Sequence, residues 1–256
     1  MIPIQILRVL SMIQQFDAPA LLMGGQACVL YGAAEYSRDL DLAVLATDDA
    51  LPRLSDAMQA LHATVIAVPP FEQQYLARGH AVHFSVPDDA RTIAGTPLRV
   101  DIMSRMRGVA SFGELWERRT TVTLPDDTRS TTVLVELMAL EDLVRAKKTQ
   151  RDKDWPMLRR LVDASYDSAR DSDASPDQVE FWLLELRSPE FLREIVRRFP
   201  IQAAESSRQA VVASVTDGDI ASALATEQAQ EMAIDRAYWE PLRRELESLR
   251  HAARRV

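Results

Sequence analysis

The chain has 256 residues, of which 47% are hydrophobic and 27% are charged, and this composition excludes a disordered or fibrous protein. Thirty basic and 38 acidic residues give a net charge of −8. This charge argues against a general polyanion-binding surface and against extended DNA binding, although it leaves room for a local basic groove.

No apolar run approaches the roughly 18 to 20 residues that a membrane-spanning helix requires, and the first residues lack the basic segment of a secretion signal. We therefore expect a cytoplasmic protein without membrane contact. The single cysteine, Cys28, lies in an apolar run, which indicates a buried, unreactive thiol rather than a nucleophile.

Short apolar runs alternate with amphipathic stretches over the first part of the chain, the pattern of a mixed α/β unit. The pattern predicts helices over residues 4–16, 26–31, 49–61 and 111–118, and strands over residues 20–23, 39–45, 63–68, 80–86 and 98–103. Strand signals end near residue 135, and long helical patterns follow, as at residues 179–199 and 219–250. We predict an α+β protein with a small mixed-sheet core over residues 1–135 and a helical domain over residues 136–256. The polar, aperiodic residues 165–176 are predicted to form a mobile loop or linker.

Two aspartates interrupt the apolar strand predicted at residues 39–45. Aspartate is a poor strand former, and the period of two places Asp39 and Asp41 on one face, where their repulsion favours a bound cation. Mg²⁺ prefers carboxylate and water oxygens together with substrate phosphates. The alternative is a strand end at which two solvated acids emerge from the sheet.

Two further features stand near this pair in the predicted order of elements. Gly24 and Gly25 separate a strand from a helix, a position at which bare N–H groups can bind phosphate, although a plain turn is the commoner meaning. Asp101 lies within the predicted strand 98–103, again against strand propensity, and is a candidate third ligand.

A basic segment follows the core. Residues 143–160 contain seven Lys or Arg and two Asp, a local balance of +5, and Lys147, Arg151 and Asp154 fall on one stripe of a predicted helix over residues 139–154. A nucleoside triphosphate would fit this charge. The alternative is a solvated basic helix in which Asp154 acts as an N-cap.

These motifs together resemble the polymerase-β-type nucleotidyltransferase superfamily, and within it the bacterial branch of AbiEii-like, toxin-type nucleotidyltransferases. The resemblance rests on Leu22-Met23-Gly24-Gly25-Gln26-Ala27, on Ser37-Arg38-Asp39-Leu40-Asp41-Leu42, and on Glu141 to Lys147 followed by Arg151-Asp152-Lys153-Asp154. It is specific over residues 20–45 and 138–162. Relatives often have Arg at the position of Glu35 and Ser at the position of Gln26, so the nucleotide contacts can differ here.

The resemblance implies a role for each matching residue. Asp39, Asp41 and Asp101 would bind two Mg²⁺ or Mn²⁺ ions, and Gly24 and Gly25 would hold the phosphates of the nucleotide. Ser37, just ahead of the aspartates, is a candidate contact to a phosphate or base; the alternative is a turn hydroxyl. Lys147 and Arg151 would neutralise phosphate charge, and Lys147 and Asp154 complete the set of candidate catalytic residues.

The expected activity is transfer of a nucleoside monophosphate from a nucleoside triphosphate to a hydroxyl of tRNA or protein. The resemblance also implies a role as a toxin with an antitoxin partner. One alternative is a nucleotide-binding or partner-binding protein of the same fold with little catalysis. A second is a small-molecule adenylyltransferase. His80, His83 and Arg78 are not assigned as ligands, because alternation along a strand explains them.

Overall fold

A computed structural model describes residues 2–34, 36–88, 96–126 and 131–254. Its centre is a seven-stranded mixed sheet with the strand order β3-β4-β5-β2-β1-β7-β6. The strands are β1 (Ala20–Met23), β2 (Leu40–Val44), β3 (Thr64–Val65), β4 (Val82–Val86), β5 (Leu98–Met103), β6 (Thr120–Asp126) and β7 (Thr131–Leu137). The β2–β5 and β1–β7 pairs are parallel, and the other neighbouring pairs are antiparallel.

Five helices lie within the sheet-forming part of the chain: α1 (Ile4–Gln15), α2 (Gly24–Leu30), α3 (Ala50–Ala60), α4 (Gln73–Arg78) and α5 (Phe112–Arg118). The first of them buries a stripe at helical spacing, formed by Ile6, Val9, Leu10 and Ile13. Helices α1 and α3 pack on each other, and α1 also contacts β7. The central strands β1, β2 and β5 are almost wholly apolar, so Asp41 and Asp101 stand out within the core of the sheet.

The rest of the chain is helical. It comprises α6 (Leu140–Ala146), α7 (Asp154–Ala169), α8 (Pro176–Glu185), α9 (Pro189–Arg198), α10 (Pro200–Glu205), α11 (Gln209–Asp217) and α12 (Ile220–Ala253). The 34-residue helix α12 returns to the sheet. There Glu245 accepts a hydrogen bond from Arg78, and its Oε2 lies 2.8 Å from Nε2 of the buried His80.

The α+β class, the mixed sheet and the helical C-terminal region are confirmed. Several predictions of individual elements are corrected. The strands β6 and β7 were not predicted; β6 is an edge strand, which tolerates Pro125, and the proline obscures the strand pattern. The predicted boundary between residues 135 and 136 falls inside β7, and the division into two domains stays a prediction.

The predicted helix over residues 139–154 is interrupted. Helix α6 ends at Ala146 and α7 begins at Asp154, with a loop of residues 147–153 between them. The predicted linker over residues 165–176 is also partly wrong, because α7 continues to Ala169. Tyr166 is fully buried and packs edge-to-face on Trp182, so this apolar contact holds the last turns of the helix in place.

None of the helices in the described parts of the chain combines the length and the apolar character needed to span a bilayer.

Candidate active site

Asp41 and Asp101 lie side by side at the centre of the sheet. They are register partners on the parallel strands β2 and β5, where neighbouring backbones run about 4.8 Å apart. Burial raises the pKa of Asp41, and the negative charge of Asp101 raises it further, while the positive charge of Lys147 opposes both. The site therefore holds a carboxylate whose negative charge is incompletely compensated.

Asp101 has an arginine and a histidine as neighbours. Its Oδ1 accepts a 2.7 Å hydrogen bond from Nε of Arg99 and lies 2.8 Å from Nδ1 of His83, which is its register partner on β4. Burial alone would raise the pKa of Asp101, but the hydrogen bonds and charges of His83 and Arg99 outweigh it and hold the pKa below its usual value. Asp101 is therefore ionised and already paired on one oxygen.

Asp39 differs from these two acids in position. Strand β2 begins at Leu40, so Asp39 precedes the strand and is exposed, whereas Asp41 is half-buried. It lies near enough to Asp41 for its charge to raise the pKa of that carboxyl, although less than Asp101 does. Asp39 thus lies at the exposed edge of the site, whereas Asp41 and Asp101 lie deeper, within the sheet.

The glycine pair packs against the site. Strand β1 ends at Met23, which pairs with Asp41, and the N–H of Gly25 donates to Oδ2 of Asp41 across 3.4 Å. A Cβ atom on Gly24 would lie 1.9 Å from that same oxygen, and one on Gly25 would lie 2.3 Å from Oγ of Ser37. Both positions exclude a side chain, because the groups predicted to bind substrate occupy the space.

Gln26 has a structural role at this turn. Its side chain is 1% exposed, and Nε2 donates a 2.7 Å hydrogen bond to the carbonyl oxygen of Ser37. This contact fixes the approach of the chain to β2. Glu35, the other departure from the superfamily pattern, lies outside the described residues.

The predicted basic stripe forms a folded loop around Asp154. The carboxylate of Asp154 is buried and accepts hydrogen bonds from Oγ1 of Thr149 at 2.5 Å and from Nε of Arg151 at 2.8 Å. Nζ of Lys147, which is 8% exposed as a residue, lies 3.6 Å from Oδ1 of Asp154. The alternative, in which Asp154 acts as an N-cap, is wrong: Lys153 is the N-cap of α7, and Asp154 is the first helical residue and binds loop side chains instead.

A cavity of about 330 Å³ joins these groups. Its lining includes Gly24, Asp41, Asp101, Lys147 and Arg151, so five of the sequence-predicted residues face one space. Asp39, Gly25, Ser37 and Asp154 are not part of that lining; they lie behind or beside it.

Helix α12 closes the far side of the cavity, and this contribution was not predicted. Asp235 is 2% exposed and accepts hydrogen bonds from Nε of Arg107 at 3.1 Å and from the N–H of Gln150 at 2.7 Å. Nη2 of Arg107 also donates to the carbonyl oxygen of Lys148 at 2.5 Å and to Glu231 at 2.9 Å. One arginine therefore ties the loop after β5, the loop after α6 and α12 together.

The sequence carried only weak signals for these groups. Asp235 and Trp239 are four residues apart and therefore lie on one face of α12. Because α12 is rich in charged residues and its partners are distant in the chain, this spacing did not single out the two residues. His83 was considered and left unassigned; its contact with Asp101 depends on strand register, which alternation alone does not give.

Two other residues lie apart from the lining of the cavity. Cys28 is buried, and burial raises the pKa of its thiol to about 11, as expected for an unreactive cysteine. His80 is buried against Glu245 of α12 and takes no part in the lining of the cavity. Within the described residues, no group of three or more His, Cys, Asp or Glu side chains is arranged to hold a metal ion.

No protein-family model matches the chain, and no curated protein matches it either. Among solved structures, the chain is similar to an antigenic nucleotidyltransferase-like protein from Paracoccidioides brasiliensis. That similarity has a TM-score of 0.37 and 16% sequence identity, and it covers 71% of this chain and 94% of that one.

Proposed function

We propose that this protein is a metal-dependent nucleotidyltransferase that moves a nucleoside monophosphate from a nucleoside triphosphate to an acceptor hydroxyl. The observation that carries the proposal is the pairing of Asp41 with Asp101 on parallel strands, facing one cavity together with Lys147. Paired acids beside a buried lysine suit phosphoryl transfer, because the acids hold divalent ions and the lysine neutralises phosphate charge.

The acids present fit Mg²⁺ or Mn²⁺. Mg²⁺ commonly takes one or two protein carboxylates and completes its octahedron with water and substrate phosphates, so Asp41 and Asp101 suffice without a third buried acid. Burial, followed by the negative charge of Asp101, raises the pKa of Asp41, and a bound cation would stabilise its ionised form. Asp39, which is exposed at the edge of the site, would be a further ligand of the metal ion. The bound metal would supply an activated acceptor oxygen and charge stabilisation of the leaving pyrophosphate.

The protein's own residues would bind and orient the nucleotide. Lys147 and Arg151 line the cavity and would pair with phosphate oxygens, while Asp154 holds both cations in place from behind. Gly24, Gly25 and Ser37 would lie beside the phosphates of the nucleotide. The glycines carry no side chain that would block the approach of the phosphates. Arg99 and His83 would fix the carboxylate of Asp101 in one orientation.

Two acceptor classes fit the charge distribution. The net charge of −8 favours a protein or small-molecule acceptor, whereas the +5 segment over residues 143–160 would suit a tRNA. Action as a toxin restrained by an antitoxin belongs to the same proposal and rests on the motif resemblance.

A second candidate is a nucleotide-binding or partner-binding protein of this fold with little catalysis. It is favoured by the state of Asp101, whose Oδ1 is occupied by Arg99 and His83. A carboxylate whose oxygen already binds an arginine and a histidine attracts a metal ion less strongly than a free one.

Incorporation of labelled nucleotide separates the two candidates. Purified protein, each of the four labelled nucleoside triphosphates and Mg²⁺ are incubated with total tRNA or with cell protein, and mass spectrometry locates the added nucleotide. Asp41→Asn and Asp101→Asn should each lower transfer roughly a hundredfold or more, because metal stabilisation of the transition state is worth several kcal/mol. Asp56→Asn, an exposed aspartate on α3, is the matched control. Transfer that survives both site substitutions would refute the site, and tight nucleotide binding without transfer would favour the second candidate.

A further inference from the structure

The lining of the cavity combines two kinds of side chain. Asp41, Asp101 and Lys147 are charged, whereas Met103 of β5, Met106 and Trp239 of α12 are apolar. All three of these apolar residues are half-buried, so each presents surface to the open space. The proposed function uses only the charged lining residues, and the apolar ones have no assigned role.

Trp239 is held in a defined orientation within this wall. Its indole Nε1 donates a 3.1 Å hydrogen bond to Oδ1 of Asp235, and the ring of Tyr238 packs against it at 88° with centroids 5.1 Å apart. Asp235 is itself fixed by Arg107 and by the N–H of Gln150. The indole N–H therefore has its hydrogen-bond partner inside the protein, and Trp239 contributes to the lining of the cavity.

A nucleoside triphosphate has the same division of character, with a charged end and a flat, weakly polar base. Bases stack on aromatic rings, and the polarisable sulfur of methionine makes favourable contacts with aromatic rings. A binding site that combines an apolar wall with a few convergent polar groups is the usual design for such ligands, at cavity volumes of roughly 300 to 1,000 Å³.

Resting on the proposed function, we propose that Trp239, flanked by Met103 and Met106, is the platform on which the base of the bound nucleoside triphosphate stacks. Asp235 is then a positioning residue that sets the plane of the indole. Because every base has a π-face, this platform accepts purines and pyrimidines alike, and selectivity among the four nucleotides is weak.

Binding of two kinds of probe tests the platform. The affinities of the full chain for the Mg²⁺ complexes of the four nucleoside triphosphates, and of inorganic tripolyphosphate as a base-free probe, are measured by calorimetry. Trp239→Leu removes the ring and keeps apolar bulk, whereas Trp239→Phe keeps a ring. Because loss of base–aromatic stacking costs about 1 to 3 kcal/mol, Trp239→Leu should weaken nucleotide binding roughly tenfold and leave tripolyphosphate binding unchanged. Trp239→Phe should restore most of the nucleotide affinity.

Trp116→Leu provides the matched control, since Trp116 lines a different cavity between α1 and β7. Unchanged nucleotide affinity in Trp239→Leu would overturn the platform, as would a parallel loss for nucleotide and tripolyphosphate, which would indicate a general disturbance of the cavity. If the unaltered protein binds neither probe, the proposed function itself fails. The two failures are thereby distinguished.

Discussion

At Gly24 the absence of a side chain leaves the space that the carboxylate of Asp41 fills. The residue has a φ of +66°, and an added Cβ would lie 1.9 Å from Oδ2 of Asp41. From the sequence, the glycine pair indicated only a turn with room for phosphate. The structure explains Gly24 without any ligand. A side chain at this position would displace the carboxylate of Asp41.

Gly24→Ala should therefore lower the free energy of unfolding by more than the left-handed backbone conformation alone explains. Gly32 is the matched control, with a φ of +75° and no atom within 4 Å of an added Cβ. We expect Gly32→Ala to lower the free energy of unfolding by about 1 kcal/mol, the cost of a left-handed L-residue, and Gly24→Ala to lower it by about 2 to 4 kcal/mol. Urea unfolding of both variants measures the difference. Equal losses would show that Asp41 moves aside without cost.

Among the elements, the loop between α6 and α7 departs furthest from its prediction. The spacing of Lys147, Arg151 and Asp154 suits a continuous helix, and residues 147–153 contain neither Gly nor Pro to break one. Nevertheless α6 ends at Ala146, because Thr149 and Arg151 fold back to bind the carboxylate of Asp154. Hydrogen bonds to the side chain of Asp154 compete with the backbone hydrogen bonds of a helix, and this competition explains why residues 147–153 form a loop.

Asp154→Asn tests that reading of the loop. The substitution leaves the nearly buried Lys147 without its acidic partner, and removing one member of a buried ion pair typically costs about 3 to 5 kcal/mol. We expect a loss of that order in the free energy of unfolding, from denaturant titration. Asp152→Asn makes the same chemical change two residues away on an exposed side chain and should stay within about 0.5 kcal/mol of the unaltered protein. Similar values for the two variants would contradict the structural role of Asp154.

The sequence predicted the elements that are regular and local, and missed those that depend on distant partners. Strands β1 and β5 were predicted with their observed bounds, since apolar runs bounded by Gly or Pro are strong local signals. The convergence of Asp41, Asp101 and Lys147 was expected from the motif resemblance. The pairing of His83 with Asp101 and the wall formed by α12 depend on register and on long-range packing, and no local pattern encodes them.

Across the whole molecule, α12 is attached by charged contacts as well as by apolar ones. Glu227 accepts hydrogen bonds from the buried Arg208 and Arg187 at 2.6 to 2.9 Å, and Glu245 binds Arg78 and His80 near the other end of the helix. Burial alone would raise the pKa of Glu227, but the hydrogen bonds and charge of Arg208, followed by the charge of Arg187, hold it below its usual value.

The lowered pKa of Glu227 predicts a particular loss of stability in acid. A carboxyl whose pKa is lower in the folded than in the unfolded state contributes stability above the unfolded value, here about 4.5, and loses it as the pH falls through the folded value. We therefore expect Glu227→Gln to be less stable than the unaltered protein at neutral pH and to approach it below about pH 4.5. Urea unfolding between pH 7 and pH 3 measures this convergence. Glu247→Gln, on an exposed part of the same helix, should show no such trend, and a pH-independent deficit in Glu227→Gln would argue against the ion pair.

The attachment of α12 also bears on how the protein is made. The cavity needs Met23 and Gly24 from an early strand and turn, and it needs Asp235 and Trp239 from the last helix. A ribosome adds roughly 5 to 20 residues per second, so the early sheet strands leave the exit tunnel well before α12 is synthesised. A growing chain therefore carries the two carboxylates before α12 covers them, and the complete cavity first exists only after α12 has been synthesised.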